Sequence, residues 1–395
     1  MSETSAFPET LAGRESPRAR VLCWLERGIA SGEISRGGEI PSERKLAKML
    51  GVAPCTAAAA MDDAEERGLV VRRRPGARKR YACEAAPKPK PSTAIAVLGA
   101  LKQFTDIATA PTWTDSFLAL DVVRRISRSG RPVLFFDPDT LSGGDLEGVF
   151  SARPAAMVAT SSVSGDPVAM RALERCRKAG IPAVAYGNAP ELRCYDRAYS
   201  DHRGGSRELT RWLLAHGRRR IVPFFPFPFE PPIFWSDERL AGYAEAMREA
   251  GLEPHKGVFF GSPLLAERGW AGEKLRIHTA MATAALETLR REEGALPDAL
   301  LCQNDDWAKP ALMAIRGMGL APNRDIVVAG YDEVRRDYNP EAVIPFKPAV
   351  TVNKHYEKAA ESLAALVLAR LDGTLPPEPQ ARIHAHEVIV LDGDV

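Results

Sequence analysis

Residues 84–92 read EAAPKPKPS. Each proline fixes φ, withholds an N–H and biases the residue before it away from helix. Proline alternating with lysine therefore gives an extended, solvated connector. It divides the 395 residues into a head, residues 14–83, and a body, residues 93–395, each needing its own core. Charge divides the same way. Residues 1–91 hold 17 Lys and Arg against 12 Asp and Glu, and the remainder holds 36 against 39. A basic head on a slightly acidic body points to a polyanionic partner for the head.

The body alternates short apolar runs with helical stripes. Ala94–Leu98, Pro132–Phe136, Ala155–Thr160, Ile181–Tyr186, Arg220–Phe225, Ala299–Gln303 and Ile326–Ala329 read as strands. Phe117–Ile126, Val168–Ala179, Gly204–His216, Leu240–Ala250 and Trp307–Met318 read as helices, four of them closed by Gly180, Gly217, Gly251 and Gly319. Such alternation builds parallel sheets with helices on both faces. About 300 residues exceed one such sheet, so two lobes are expected, with a ligand beyond the strands' carboxyl ends.

Other classes find no support. No run approaches the roughly 18 apolar residues of a membrane span, and the N-terminus lacks the apolar core of a signal peptide. The six cysteines form no CxxC pair, so neither disulfides nor a cysteine zinc site is expected, and a reducing cytoplasm fits. There is no Walker loop, GxSxG or HExxH, and the seven histidines are scattered. His384-Ala-His386 reads as a surface strand, with metal chelation the other reading. No enzyme, metal or cofactor is expected.

In the head, Val21, Leu22, Leu25 and Ile29 make one helical stripe. Ser42 can cap a second helix, and Glu43 suits its positive end. After Gly51-Val52, Pro54 opens a third helix, with Ala57, Ala60, Met61 and Ala64 facing inward. Leu69–Tyr81 reads as a hairpin with a basic tip. Helix, helix, tight turn, helix and hairpin make a winged helix-turn-helix.

The string Gly32-x-Ile34…Gly38-x-Ile40-Pro-Ser-Glu-Arg-x-Leu46-Ala-x-x-Leu50-Gly-Val52…Glu66-Arg-Gly-Leu-Val70 resembles the gluconate-repressor (GntR) family of bacterial DNA-binding domains. The resemblance implies that the helix from Pro54 meets DNA with the wing beside it, and Arg44 matches a DNA-contacting position. The candidate contacts are Ser42, Arg44, Pro54, Cys55 and Thr56, with Arg72, Arg73, Arg74, Arg78, Lys79 and Arg80 of the wing. The family usually has Ser/Thr-Arg before this helix and another Arg within it. Here those places hold Ala53-Pro54 and Ala58, leaving few side chains for bidentate base contact. Readout is expected to lean on Arg44, the wing and DNA shape. The other reading of the tip is a solvated basic hairpin.

In the body, Ala179-Gly-Ile-Pro-Ala-Val-Ala-Tyr186, Tyr199-Ser-Asp201, Leu213-Leu-Ala-His-Gly217, Glu238-Arg-Leu-Ala-Gly242-Tyr, Asp298–Asp305, Ile326–Glu333 and Pro348–Val352 resemble the effector domain of the lactose/galactose-repressor (LacI) family. That family is related to periplasmic sugar-binding proteins. By match, Arg239, Asn304 and Asp332 are cleft residues. A planar donor fork, a mixed amide and a two-acceptor carboxylate suit a polyol. Asp201 falls near the family's crossover. Bland readings stand beside these: Asp332 or Asn304 as helix or turn caps, and Arg239 paired with Glu238 or Asp237. The aromatic, proline-stiffened loop Pro223–Trp235 offers Phe225 and Trp235 as sugar-stacking plates, or packs its own aromatics inward.

The resemblances imply a bacterial transcription regulator. It would bind double-stranded operator DNA as a homodimer, act as a repressor more often than an activator, and sense a small sugar between its lobes. The alternative is a cytoplasmic solute-binding or scaffold protein with a degenerate head. A sugar-processing enzyme would need paired carboxylates, which the sequence does not place.

Overall fold

The computed structural model of the chain describes residues 16–74, 76–83, 93–99, 114–138, 141, 146–160, 167–226, 233–261, 273–333 and 347–392. The expected connector and the loop residues Phe227 and Phe229 lie outside them. The chain divides into two compact units, Met1–Pro91 and Ser92–Val395.

In the first unit, Ser16 caps helix α1 (Pro17–Ser31) by accepting from the Ala19 N–H at 3.2 Å. Helix α2 (Glu43–Leu50) ends at Gly51, whose φ of 61° suits a residue without Cβ. Ser42 stands at the N-cap of α2, but its hydroxyl makes no capping bond. Pro54 opens α3 (Pro54–Glu66), and β1 (Val70–Val71) pairs antiparallel with β2 (Tyr81–Ala82). Val21, Leu25, Leu46, Ala60, Met61, Ala64 and Ala82 close one core beneath the three helices and the hairpin.

The second unit holds two six-stranded sheets. Lobe 1 contains β3 (Ile95–Leu98), α4 (Thr114–Arg128), β4 (Val133–Phe136), α5 (Leu146–Ser151), β5 (Ala156–Ala159), α6 (Pro167–Ala179), β6 (Ala183–Tyr186) and β7 (Asp196–Ser200). Lobe 2 contains α7 (His202–Ala215), β8 (Ile221–Phe225), α8 (Phe234–Glu249), β9 (Val258–Phe259), α9 (Glu273–Glu293), β10 (Ala299–Cys302), α10 (Asp305–Gly317), β11 (Val327–Ala329) and β12 (Val350–Asn353). The chain then returns to lobe 1 through α11 (Tyr356–Leu371) and β13 (Ala381–His384), and ends in lobe 2 as β14 (Glu387–Val390). The strand orders are β13-β7-β6-β5-β3-β4 and β14-β12-β11-β10-β8-β9. Every pairing is parallel except β12 with β14.

β3, β5, β8 and β10 are buried at every position, as a sheet covered on both faces requires. In lobe 1, α4 and α11 cover one face while α5 and α6 cover the other. In lobe 2, α9 and α10 cover one face while α7 and α8 cover the other. The strand and helix readings made from the sequence fall on these elements, with one shift. Phe234 and Trp235, read as loop, form the first turn of α8.

Three segments join the lobes: Ser200–His202, Asn353–Tyr356 and residues 385–386. They lie against one another. Ser200 Oγ donates to the Lys354 carbonyl at 3.4 Å, and the Asp201 N–H donates to the His384 carbonyl at 3.4 Å.

Candidate interlobe site and winged-helix surface

On α3, Pro54 and Cys55 are exposed and Thr56 is half-buried, while Ala57 and Ala60 point into the core. Arg44 of α2 is exposed. The surface of α3 carries no arginine before Arg67, so its N-terminal half offers only short side chains to a base edge.

The wing splits into two sets of cations. Arg74 and Arg78 are exposed, Arg73 lies over the Tyr81 ring at 4.0 Å, and Lys79 pairs with Glu39 at 2.9 Å. Arg80 is different: its side chain is 3% exposed and is held by Glu43 at 2.6 Å, Glu65 at 3.3 Å and Asp62. Arg72, half-buried, meets Asp62 and Glu65 at 3.3 Å each. Arg80 is thereby removed from the phosphate-facing set expected from the sequence. It directly precedes β2, and the period-two alternation of an extended chain turns it inward. Arg74→Ala should make the salt dependence of DNA binding shallower by about 1 in log–log slope, with sequence preference unchanged. Binding isotherms across a potassium chloride series check this.

The cleft is built where strands end. Arg239 stands in the second turn of α8, Gln303 and Asn304 follow β10, Asp332 follows β11 and Lys354 follows β12. Arg239 Nη2 donates to Asp332 Oδ1 at 2.9 Å and Nη1 to the Gln303 carbonyl at 2.5 Å. Its guanidinium lies 3.6 Å from the Tyr331 ring centroid and 4.7 Å from that of Trp235. Lys354 Nζ reaches the same Asp332 oxygen at 2.8 Å. All three charged side chains are 7% exposed or less. Burial pushes the Asp332 carboxyl up, but Lys354 and Arg239 together outweigh it and hold it below the usual carboxylate range.

The backbone here is strained. Asp332, Glu333 and His355 have φ of 89°, 46° and 53°, three of the five non-glycine residues with positive φ among those described. Such strain persists where the surroundings over-determine a conformation, and it concentrates at binding and switch regions.

Of the residues expected in the cleft, the structure brings Arg239, Asp332 and Trp235 together. Arg239 does not pair with Glu238 or Asp237. Asn304 is the N-cap of α10, its Oδ1 accepting from the Trp307 N–H at 3.1 Å. Asp201 caps α7 through the Gly204 N–H at 2.8 Å. Asp201 also lines a cavity with Tyr186, Asn188, Tyr199, His202, Trp235 and Glu238. Phe225 is a correction: it ends β8, is 3% exposed and pairs by its backbone with β9, so it is no open stacking plate.

Sequence reasoning missed Gln303, His202, Tyr331 and Lys354. Gln303 is 7% exposed and its Oε1 has no hydrogen-bond partner among the described residues. His202 Nδ1 accepts from Arg239 Nε at 3.4 Å. Burial first, then Arg239 and Lys354, hold this imidazole well below its ordinary 6.5, so it is neutral. The unfolded chain takes up a proton here that the folded body refuses, so acid favours unfolding. The urea midpoint of the body should fall as pH drops through the ordinary 6.5, and His202→Gln should flatten the fall. His384, depressed by burial, adds with the same sign.

No group of three or more metal-binding side chains occurs among the described residues, and no described helix is long and apolar enough to cross a membrane. Burial pushes the Cys176 thiol up to about 12 and raises that of Cys302, so neither is a ready nucleophile.

Comparison with known proteins agrees with both domains. Residues 17–77 match the bacterial regulatory proteins of the gntR family, and residues 210–390 match the periplasmic binding protein-like domain. The HTH-type transcriptional repressor PurR of Glaesserella parasuis serovar 5 (strain SH0165) is 25% identical over 203 residues, 50% of this chain and 53% of that protein. The chain spans about half the length, or less, of the curated relatives it matches. A regulatory protein of LacI family from Chloroflexus aggregans superposes with a TM-score of 0.58 at 21% identity, over 76% of this chain and 99% of that one. The transcriptional regulator CelR, solved as a cellobiose complex, superposes with a TM-score of 0.57 at 20% identity, over 95% and 99%. These likenesses establish the body's fold as that of the LacI-type, periplasmic-binding-protein-like effector domains.

Proposed function

From a gntR-type winged helix-turn-helix domain joined to a periplasmic-binding-protein-like domain, we propose that the chain is a ligand-responsive transcription regulator, not an enzyme. The head binds operator DNA, two heads are brought to a palindromic site by a homodimer, and a small carbohydrate in the interlobe cleft sets the affinity. Repression relieved by the effector is the direction we favour.

The observation that carries the reading is the cluster of Arg239, Asp332 and Lys354 at the strand ends, set against the segments that join the lobes. A polyol bound there exchanges hydroxyl contacts for part of the Arg239–Asp332 pairing, stacks on Trp235 and satisfies the buried Gln303 Oε1. Contacts at that place differ between lobe arrangements, which is what a ligand needs in order to shift them.

The test is binding of the full chain to DNA from upstream of its own gene against a scrambled duplex, across a salt series, with and without a panel of sugars. Sequence-dependent binding that one sugar weakens is the expected result. Equal, salt-labile binding to both duplexes would leave the solute-binding or scaffold reading, which the arginine-poor start of α3 favours.

A further inference from the structure

The head carries a feature that DNA binding alone does not explain. The helix that would face DNA is acidic in its second half, with Asp62, Asp63, Glu65 and Glu66. Carboxylates beside a phosphate backbone oppose binding. Asp62 is 62% exposed, so solvation alone would have left it without a partner. Instead, Asp62 and Glu65 of α3 and Glu43 of α2 converge on the 3%-exposed guanidinium of Arg80, at the foot of the wing. Arg72, at the opposite foot of the hairpin, closes on the same two α3 carboxylates.

The base of the hairpin is held by backbone hydrogen bonds from Ile40 to the Arg80 carbonyl and between Gly37, Gly38 and Ala82, and by Leu69, Val70 and Ala82 in the core; Arg72 and Arg80 add the side-chain ties to α2 and α3. The hairpin's two strands are two residues each, too short for a stable ribbon on their own. Arg80 supplies up to five donors in a rigid planar fork, which suits three acceptors from two helices. A lysine offers no such fork.

We propose that Glu43, Asp62 and Glu65 are positioning residues for DNA binding: through Arg80 and Arg72 they clamp the wing against α2 and α3 before DNA arrives. The clamp aims Arg73, Arg74 and Arg78 at the phosphates. It also neutralises the acidic half of α3, so the carboxylates assist binding to the polyanion they would otherwise repel. This rests on the reading of the head as a DNA-binding domain.

The experiment uses the full chain and a fluorescent duplex from upstream of its own gene, with a scrambled duplex at low salt as a second probe. Asp62→Asn with Glu65→Gln removes two negative charges from the surface that faces DNA. If those charges only repel, binding tightens and the salt slope holds or steepens as Arg72 and Arg80 are released. The clamp gives the opposite: at least ten-fold weaker binding to either duplex, with a shallower slope because the tip loses its phosphates. Unchanged or tighter binding overturns the proposal. Should the double variant lose helical circular dichroism, Glu43→Gln alone decides, with about three-fold weaker binding expected. Its control is Glu39→Gln, which frees the exposed Lys79 and should bind equally or more tightly. Equal behaviour of Glu43→Gln and Glu39→Gln also overturns the proposal. Wild-type preference for the upstream duplex is scored separately, so failure of the regulator reading and failure of the clamp are distinguishable.

Discussion

Arg239→Met should lower the unfolding free energy of the body by about 3–5 kcal/mol, the range for removing one partner of a buried ion pair, and abolish any effector response. The methionine stem can still lie against Tyr331 and Trp235, so the loss isolates the charge and its hydrogen bonds. What remains is Asp332, buried and held by Lys354 alone among the described residues that pair with it. The Gln303 carbonyl and His202 Nδ1 also lose their donor. Urea unfolding of the full chain, followed in the body's transition, gives the number. A change below about 1 kcal/mol would mean that water screens the pair as it does at a surface. The cleft would then be open enough to bind without breaking anything.

A comparably large effect is expected at Gly242, where no charge is involved. A Cβ built there would run into the Arg203 carbonyl oxygen and stand 3.0 Å from the Arg207 nitrogen, both backbone atoms of α7. Backbone cannot swing aside as a side chain can, so Gly242→Ala must push α8 off α7. Overpacking of this kind costs about 1–3 kcal/mol and occasionally more; the upper end is expected, because two long helices must separate. Gly148→Ala is the control. Its Cβ meets nothing within 4 Å, so relief of helix entropy should stabilise by about 0.5–1 kcal/mol. Thermal melts of the two variants should move in opposite directions.

Gly242 shows the limit of what a sequence discloses. The string Glu238-Arg-Leu-Ala-Gly242-Tyr is legible as a motif, but the reason for its glycine is a helix 39 residues upstream at Arg203. Elements that announce themselves by local pattern were readable: the buried strands and the helices closed by glycine. β7 was not, because Asp196 inside it looks like loop. Its carboxylate is paired with Arg370, 174 residues later, at 2.6 and 2.7 Å. β13 was legible only at its end, as the surface strand at His384-Ala-His386, because Ala381, Arg382 and Ile383 are exposed and its one clear apolar residue makes no buried pattern. Asp332 is singled out only through the resemblance, since its place after a strand reads equally as a turn cap; the structure sets it against Arg239. The cleft was illegible at Lys354 and His202, whose roles depend on partners from other segments. In the wing, a run of like charges reads as one solvated tip, and only pairing with α3 singles out Arg80.

The threading of the last strands has a consequence for how the protein is made. β13 completes the first lobe's sheet against β7, and β14 completes the second's against β12. The first sheet therefore lacks its last strand until residue 384 has been made, and the second until residue 390. The head has all its elements by residue 82, and can close before the body's strands have been translated. Until then the nascent chain presents a finished winged helix tethered to an unfinished body. A chain cut short within the body would carry a finished winged helix on sheets that can no longer be completed.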